Sequence, residues 1–155
     1  MSEIDFMRRA IALSEESVET GGGPFGAVVV LDGRIVGEGV NRVVPDGDPT
    51  AHAEVVAIRD ACRNLGAHVL EGAIVFTSCE PCPMCLAAIW WARVKEIVYG
   101  NDRAGAAAIG FDDQALYDEV ARPLAARVLP LRRLAAEEAA EAFRLWADKP
   151  DKVRY

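Results

Sequence analysis

Long apolar runs are missing from this sequence. Nothing in it approaches the roughly 20 consecutive apolar residues that a membrane-spanning helix needs, and the N-terminus carries no signal-peptide pattern. Basic charge is also scarce: 17 Lys and Arg stand against 24 Asp and Glu, for a formal net charge of -7. That balance argues against a nucleic-acid or anionic-membrane partner, because such binding relies on Lys and Arg to neutralise phosphate. Cysteines number 4, with Cys82 and Cys85 in ligand spacing, which suits a reducing cytosol better than a disulfide scaffold. There is no internal repeat and no long linker. Gly21-Gly-Gly23 lacks the Lys-Ser/Thr partner of a phosphate loop. What is there is 155 residues, 52% hydrophobic and 26% charged. These values predict one soluble, cytoplasmic domain over residues 1–155, with a core of its own.

Periodicity supplies the elements. Asp5 to Glu19 carries apolar residues at helical spacing and stops at the glycine run. Pro24 to Asn41 reads as a hairpin, with Ala27 to Leu31 and Arg34 to Val40 flanking the turn dipeptide Asp32-Gly33. After a polar loop at 45–49, Asp48 reads as a helix cap with Pro49 in the first helical position, and Gly66 ends that helix. A strand at Ala73 to Thr77, a helix at Cys82 to Arg93 and a strand at Glu96 to Gly100 follow. Residues 102–110 read as a Gly/Ala-rich loop, Gln114 to Ala121 as a helix, Arg127 to Leu131 as a fifth strand, and Ala135 to Trp146 as a last helix. The order predicts an α/β fold in three layers, a five-stranded mixed sheet with helices on both faces.

Chemistry concentrates where a strand hands over to a helix, in Thr77-Ser-Cys-Glu-Pro-Cys-Pro-Met-Cys85. Positions i and i+3 in a first helical turn share a face, so the Cys82 and Cys85 sulfurs can converge on one point. Unpaired N–H groups and the helix dipole favour thiolate there. Taken alone, a Cys-x-x-Cys is a redox pair, half of a structural zinc site, or coincidence. Thirty residues upstream stands Thr50-Ala-His52-Ala-Glu54. With His52 as the third ligand, a tetrahedral zinc keeps one position open, the mark of a catalytic rather than a structural site. Glu54, in the same first helical turn, is then the proton carrier.

A His-x-Glu followed by Pro-Cys-x-x-Cys is the signature of zinc nucleobase deaminases. The sequence resembles the cytidine/deoxycytidylate deaminase superfamily, and within it the small bacterial guanine deaminases. Besides the two zinc motifs, the likeness rests on Gly22-Gly-Pro-Phe-Gly-Ala27, Trp91-Ala-Arg93, Gly110-Phe-Asp-Asp113 and the closing Tyr155, and it runs along nearly the whole chain. The resemblance implies one zinc ion per subunit and hydrolysis of guanine to xanthine and ammonia. It implies Phe25 packing on the purine, Asn41 bonding the base, and Asp113 beside the exocyclic amine. Trp91 and Tyr155 match pocket walls, and the segment of about 135–155 matches one that this family exchanges between the subunits of a domain-swapped homodimer.

Each of these positions has a second reading. Phe25 also suits a core plug, Asn41 a turn, and Tyr155 a frayed terminus. Of the adjacent Trp90 and Trp91, Trp90 is expected to pack inside. Cys62 and Cys79 read as small buried hydrophobes, and His68 as a surface residue. A tRNA adenosine deaminase shares the same metal set, and a deaminase fold reduced to a zinc-stabilised binding module is the rival without chemistry.

Overall fold

The hairpin around Asp32-Gly33 begins the sheet. Strands β1 (Gly26–Leu31) and β2 (Arg34–Val40) pair antiparallel, and both turn residues take positive φ, 50° and 71°, as a tight two-residue turn requires. In this computed structural model, which describes residues 1–155, β3 (Ile74–Cys79) then adds antiparallel to β1. Strand β4 (Glu96–Asn101) adds parallel to β3. The sheet order is β2-β1-β3-β4. It is mixed, as the sequence predicts.

Alternation along the strands divides the core in two. Val28, Val30 and Phe76 point to one face, where they meet Phe6, Ala10 and Leu13 of α1 (Glu3–Glu19). Ala27, Val29 and Val75 point to the other face, against Ala53, Ala57 and Ala61 of α3 (Ala53–Leu65) and Ile89 of α4 (Pro83–Trp91). Helix α1 starts where a capping box forms: the Ser2 N–H and hydroxyl both donate to Asp5, at 2.9 and 2.7 Å. The alanines of α3 recur every four residues and so form one stripe. Gly37 and Gly39 of β2 face that stripe, and a Cβ on Gly39 would land on the Ala53 carbonyl oxygen and the Ala57 nitrogen.

Several boundaries differ from expectation. Helix α3 starts at Ala53 with His52 as its cap, not near Pro49. The Asp48 carboxylate is engaged instead by the Thr50 N–H and hydroxyl, at 2.8 and 2.7 Å, which closes a local turn before the helix can begin. A one-turn α2 (Val43–Asp46) precedes it. The predicted loop at 102–110 contains α5 (Arg103–Ala108), because Asp102 caps it by accepting from the Gly105 N–H at 2.8 Å and the alanines favour helix.

The chain divides into two compact units, Met1–Asp113 and Gln114–Tyr155. The second holds α6 (Gln114–Ala121), a short 3-10 turn (Leu124–Ala126) and α7 (Ala136–Asp148). The expected fifth strand at Arg127 to Leu131 does not form; the sheet has four strands. The Val128 and Leu129 N–H groups donate to the Glu119 carboxylate of α6, at 3.0 and 2.9 Å, and Pro130 has no N–H to give. That segment has spent its backbone donors on a side chain.

Gly39→Ala is expected to destabilise the chain by about 1–3 kcal/mol, the usual range for overpacking. It should weaken zinc binding as well, because the displaced Ala53 is the neighbour of His52. Urea unfolding and zinc titration of the variant check both effects.

Candidate metal centre

Two helix starts meet at one point. His52 is the cap residue of α3 and Cys82 the cap residue of α4, both with extended backbone (φ -68°, ψ 155° and 168°). Pro83 occupies the first turn of α4, where its missing N–H is no loss. Cys85 lies one turn in and is fully buried. His52 Nδ1 stands 3.6 Å from Cys82 Sγ and 3.4 Å from Cys85 Sγ, and the three ligand atoms all lie within 4.8 Å of one another. Tetrahedral zinc, with Zn–S of about 2.3 Å and Zn–N of about 2.0–2.1 Å, separates N and S by roughly 3.5 Å. The observed spacing fits that ion, and a set of two sulfurs and one imidazole suits its chemistry.

Charge at the cluster is already arranged. Hydrogen bonding from the Cys85 thiol, and then from the His52 ring, pulls the Cys82 thiol down to about 4. Cys85 is pushed the other way by its bond to Cys82 and by burial, so it keeps its proton. The bond to Cys82 raises His52 above its ordinary value.

Glu54 is 6% exposed. It lies three residues before Ala57 on the sheet-facing side of α3, and the Thr77 hydroxyl of β3 donates to its Oε1 at 3.3 Å. Burial pushes its carboxyl up from the usual range. Glu54 lines a cavity of about 600 Å³ together with His52, Cys82, Phe25, Asn41 and Asp113.

Phe25 and Asn41 fit their packing and turn readings, and both also line the cavity. Phe25 packs against the core cluster beneath α3 and also faces the cavity. Asn41 is 7% exposed; its Oδ1 accepts from the Gly23 and Val43 N–H groups, each at 3.3 Å, closing a turn at the cavity wall. Asp113 lines the cavity as well, and so does Asp112. Trp91 is not among the lining residues and is 59% exposed. Cys85 and Ile89 form the buried stripe of α4, and two residues beyond Ile89 the helix has turned to its far side. Trp90, expected to pack inside, is 74% exposed. Tyr155, in the second unit, lines a separate hollow with Trp146, Ala147, Lys152 and Arg154.

Among the other residues, His68 is exposed and Cys79 is buried, as expected, whereas Cys62, also expected inside, is only half-buried. Burial and the nearby Glu54 and Asp113 push the Cys79 thiol up to about 11, which leaves it inert. Sequence reasoning missed Phe111 and Glu80, which both line the cavity. The Phe111 ring meets Phe25 edge-on, with centroids 4.9 Å apart at 87°. Its place beside Asp112-Asp113 in a quoted motif was the available signal.

Known proteins resemble this chain in sequence and fold. The cytidine and deoxycytidylate deaminase zinc-binding region matches residues 1–101. The chain is 47% identical over 156 residues to a guanine deaminase of Bacillus subtilis, covering 100% of each. An X-ray structure of guanine deaminase from Bacillus subtilis superposes with a TM-score of 0.96, covering 100% of this chain and 99% of that one. A tRNA-specific adenosine deaminase of Agrobacterium fabrum is 44% identical over 95 residues, 61% of this chain and 62% of its own.

Zinc binding is expected to release the proton that the hydrogen-bonded Cys82–Cys85 pair holds, because the metal takes both sulfurs as thiolates. Affinity should therefore rise with pH, by about tenfold per unit for each proton displaced. Calorimetric titration in buffers of different ionisation enthalpy checks this; Cys85→Ser should lose most of the proton release.

Proposed function

This chain belongs to the cytidine and deoxycytidylate deaminase zinc-binding family, and on that premise we propose that it hydrolyses guanine to xanthine and ammonia. The observation that carries the proposal is the reach of the likeness. Identity to the Bacillus subtilis guanine deaminase extends over the whole chain, whereas the Agrobacterium fabrum tRNA deaminase matches 61% of it. A net charge of -7 also suits a free base better than RNA.

In this reading His52, Cys82 and Cys85 hold one zinc ion per subunit. When bound there, zinc supplies the Lewis acidity that lets water act as a nucleophile at neutral pH. Glu54 takes a proton from the attacking water and hands it to a ring nitrogen of the base, then carries a second proton to the departing amine. The bond from the ring carbon to water oxygen forms, the bond to nitrogen breaks, and ammonia leaves. Burial supports this role, since it raises the carboxyl above its ordinary range and so makes it a readier proton acceptor. Thr77 steadies it.

Phe25 stacks on the purine, with Phe111 bracing its edge. Asn41, its oxygen already bonded to backbone, uses its NH₂ to donate to a purine acceptor. Asp113 accepts from the exocyclic amine and assists its departure. Tyr155 walls the pocket of a second copy, in a homodimer that exchanges the segment of about 135–155. Apolar surface supports the pairing: Trp90 on α4 is 74% exposed and Phe143 on α7 is 80% exposed, and no residue of 114–155 is buried. On this reading residues 1–155 work as one deaminase domain in the cytoplasm, in purine breakdown. No helix is long and apolar enough to cross a membrane.

An ammonia-release screen over free bases, nucleosides and an RNA hairpin tests the substrate: guanine is expected to react, and release from the hairpin alone would overturn the assignment. Glu54→Gln should keep zinc by metal analysis while turnover falls by roughly 10²–10⁴-fold. Asn41→Ala should raise KM about tenfold with kcat little changed, as expected when a bond present in both ground and transition states is lost.

A further inference from the structure

The cavity is lined by the acids Glu54, Glu80, Asp112 and Asp113, and its only basic side chain is the metal-site His52. Like charges lining one cavity repel one another. The countercharge for Asp113 comes from behind the wall. Arg103, which is not itself a lining residue, donates from Nε to Asp113 Oδ1 at 3.0 Å. The pair is shielded, with side chains 27% and 20% exposed, whereas the surface pair Arg63–Asp60 leaves its arginine 73% exposed. Shielding of this degree keeps an ion pair from being washed out by water and salt.

Arg103 is held by the same strand ends that carry the metal motif. Its backbone N–H donates to Glu80 Oε2 at 3.1 Å, the Glu80 N–H donates to the Asn101 carbonyl at 2.8 Å, and Cys79 pairs with Asn101 across β3 and β4. The preceding Asp102 caps α5. From Cys82 back to Glu80, across to Asn101 and on to Arg103, the path is strand pairing and short polar contacts throughout.

We propose that Arg103 is a positioning residue that fixes Asp113, as an anion, at a set distance from the metal site. With Oδ1 bonded to Arg103, Asp113 offers Oδ2 to substrate. An anionic oxygen accepts only from N–H. The site therefore selects a purine edge that presents an amino group beside a ring N–H, and disfavours one that presents an unprotonated ring nitrogen there. Guanine has the first kind of edge and adenine the second. The inference rests on the guanine reading and adds to it the group that sets the selectivity.

The test is a double-mutant cycle on the zinc-loaded full chain, with kcat and KM for guanine and adenine measured for wild type, Arg103→Gln, Arg103→Lys, Asp113→Asn and the Arg103→Gln/Asp113→Asn double variant. Arg103→Gln is expected to lower kcat/KM for guanine about 10–100-fold, to narrow the preference over adenine, and to leave zinc content and melting temperature near wild type. Arg103→Lys should recover part of the loss. In the Asp113→Asn background, Arg103→Gln should cost less than about twofold more, because a residue acting through Asp113 has nothing left to position. Losses that multiply across the two sites, or an Arg103→Gln variant as active and selective as wild type, overturn the inference while leaving the guanine assignment intact. A wild-type chain that releases no ammonia from guanine removes both.

Discussion

Two helices aim their N-termini at one point, and the remainder of the structure keeps them there. His52 and Cys82 are the cap residues of α3 and α4, the positions at which the backbone leaves extended geometry and N–H groups go without helical partners. Thiolate is stabilised in such a place and costly elsewhere in a core. The separation of the two caps is set by how closely α3 and α4 lie on the sheet. For α3 that closeness depends on residues that carry almost no side chain, the alanines at 53, 57 and 61 against Gly37 and Gly39. A larger residue on either side of that seam would lift a cap away from its partner.

The same seam places Glu54. Its position on α3 lies along the stripe that meets the sheet, so the fold drives a carboxyl into the interior where an alanine would pack without penalty. Thr77, on the sheet face that also carries Val75, supplies one polar contact. An acid in this setting is held for its proton. Burial makes its charged form expensive, and a cation held by the adjoining sulfurs and imidazole would favour that form again. Two opposing influences meet on one carboxyl, which is the condition for a group that must gain and lose a proton in a single turnover.

What the sequence made legible was local chemistry repeated at short range. The hairpin could be read because Asp32-Gly33 alone satisfies its turn. The metal ligands could be read because Cys-Pro-x-Cys and His-Ala-Glu each sit inside one helical turn. Misreadings arose where a side chain outcompeted the backbone pattern. Asp48 looked like a helix cap and closed a turn with Thr50 instead. Arg127 to Leu131 has strand-like composition, yet its donors go to Glu119. Asp102 turned a Gly/Ala stretch into a helix. Phe111 stood in the motif Gly110-Phe-Asp-Asp113, but its ring contact with Phe25 joins residues far apart in sequence; Arg103 was illegible because spacing holds no record of its pairing with Asp113. The positions of Trp90 and Trp91 follow helical geometry from the buried Cys85 and Ile89, so their outward placement was open to deduction.

Charge narrows what can enter. A cavity of about 600 Å³ with four carboxylic acids in its lining, in a chain of net charge -7, sets up a negative potential at its mouth, focused by low-dielectric walls. Each phosphate of a nucleotide or an RNA would approach against that field. A free purine carries no charge and meets no such barrier. Acidity that would be a liability in a nucleic-acid enzyme would therefore act as a filter on the proposed reading, and the half-buried Arg103 pairs with one of those acids from outside the lining.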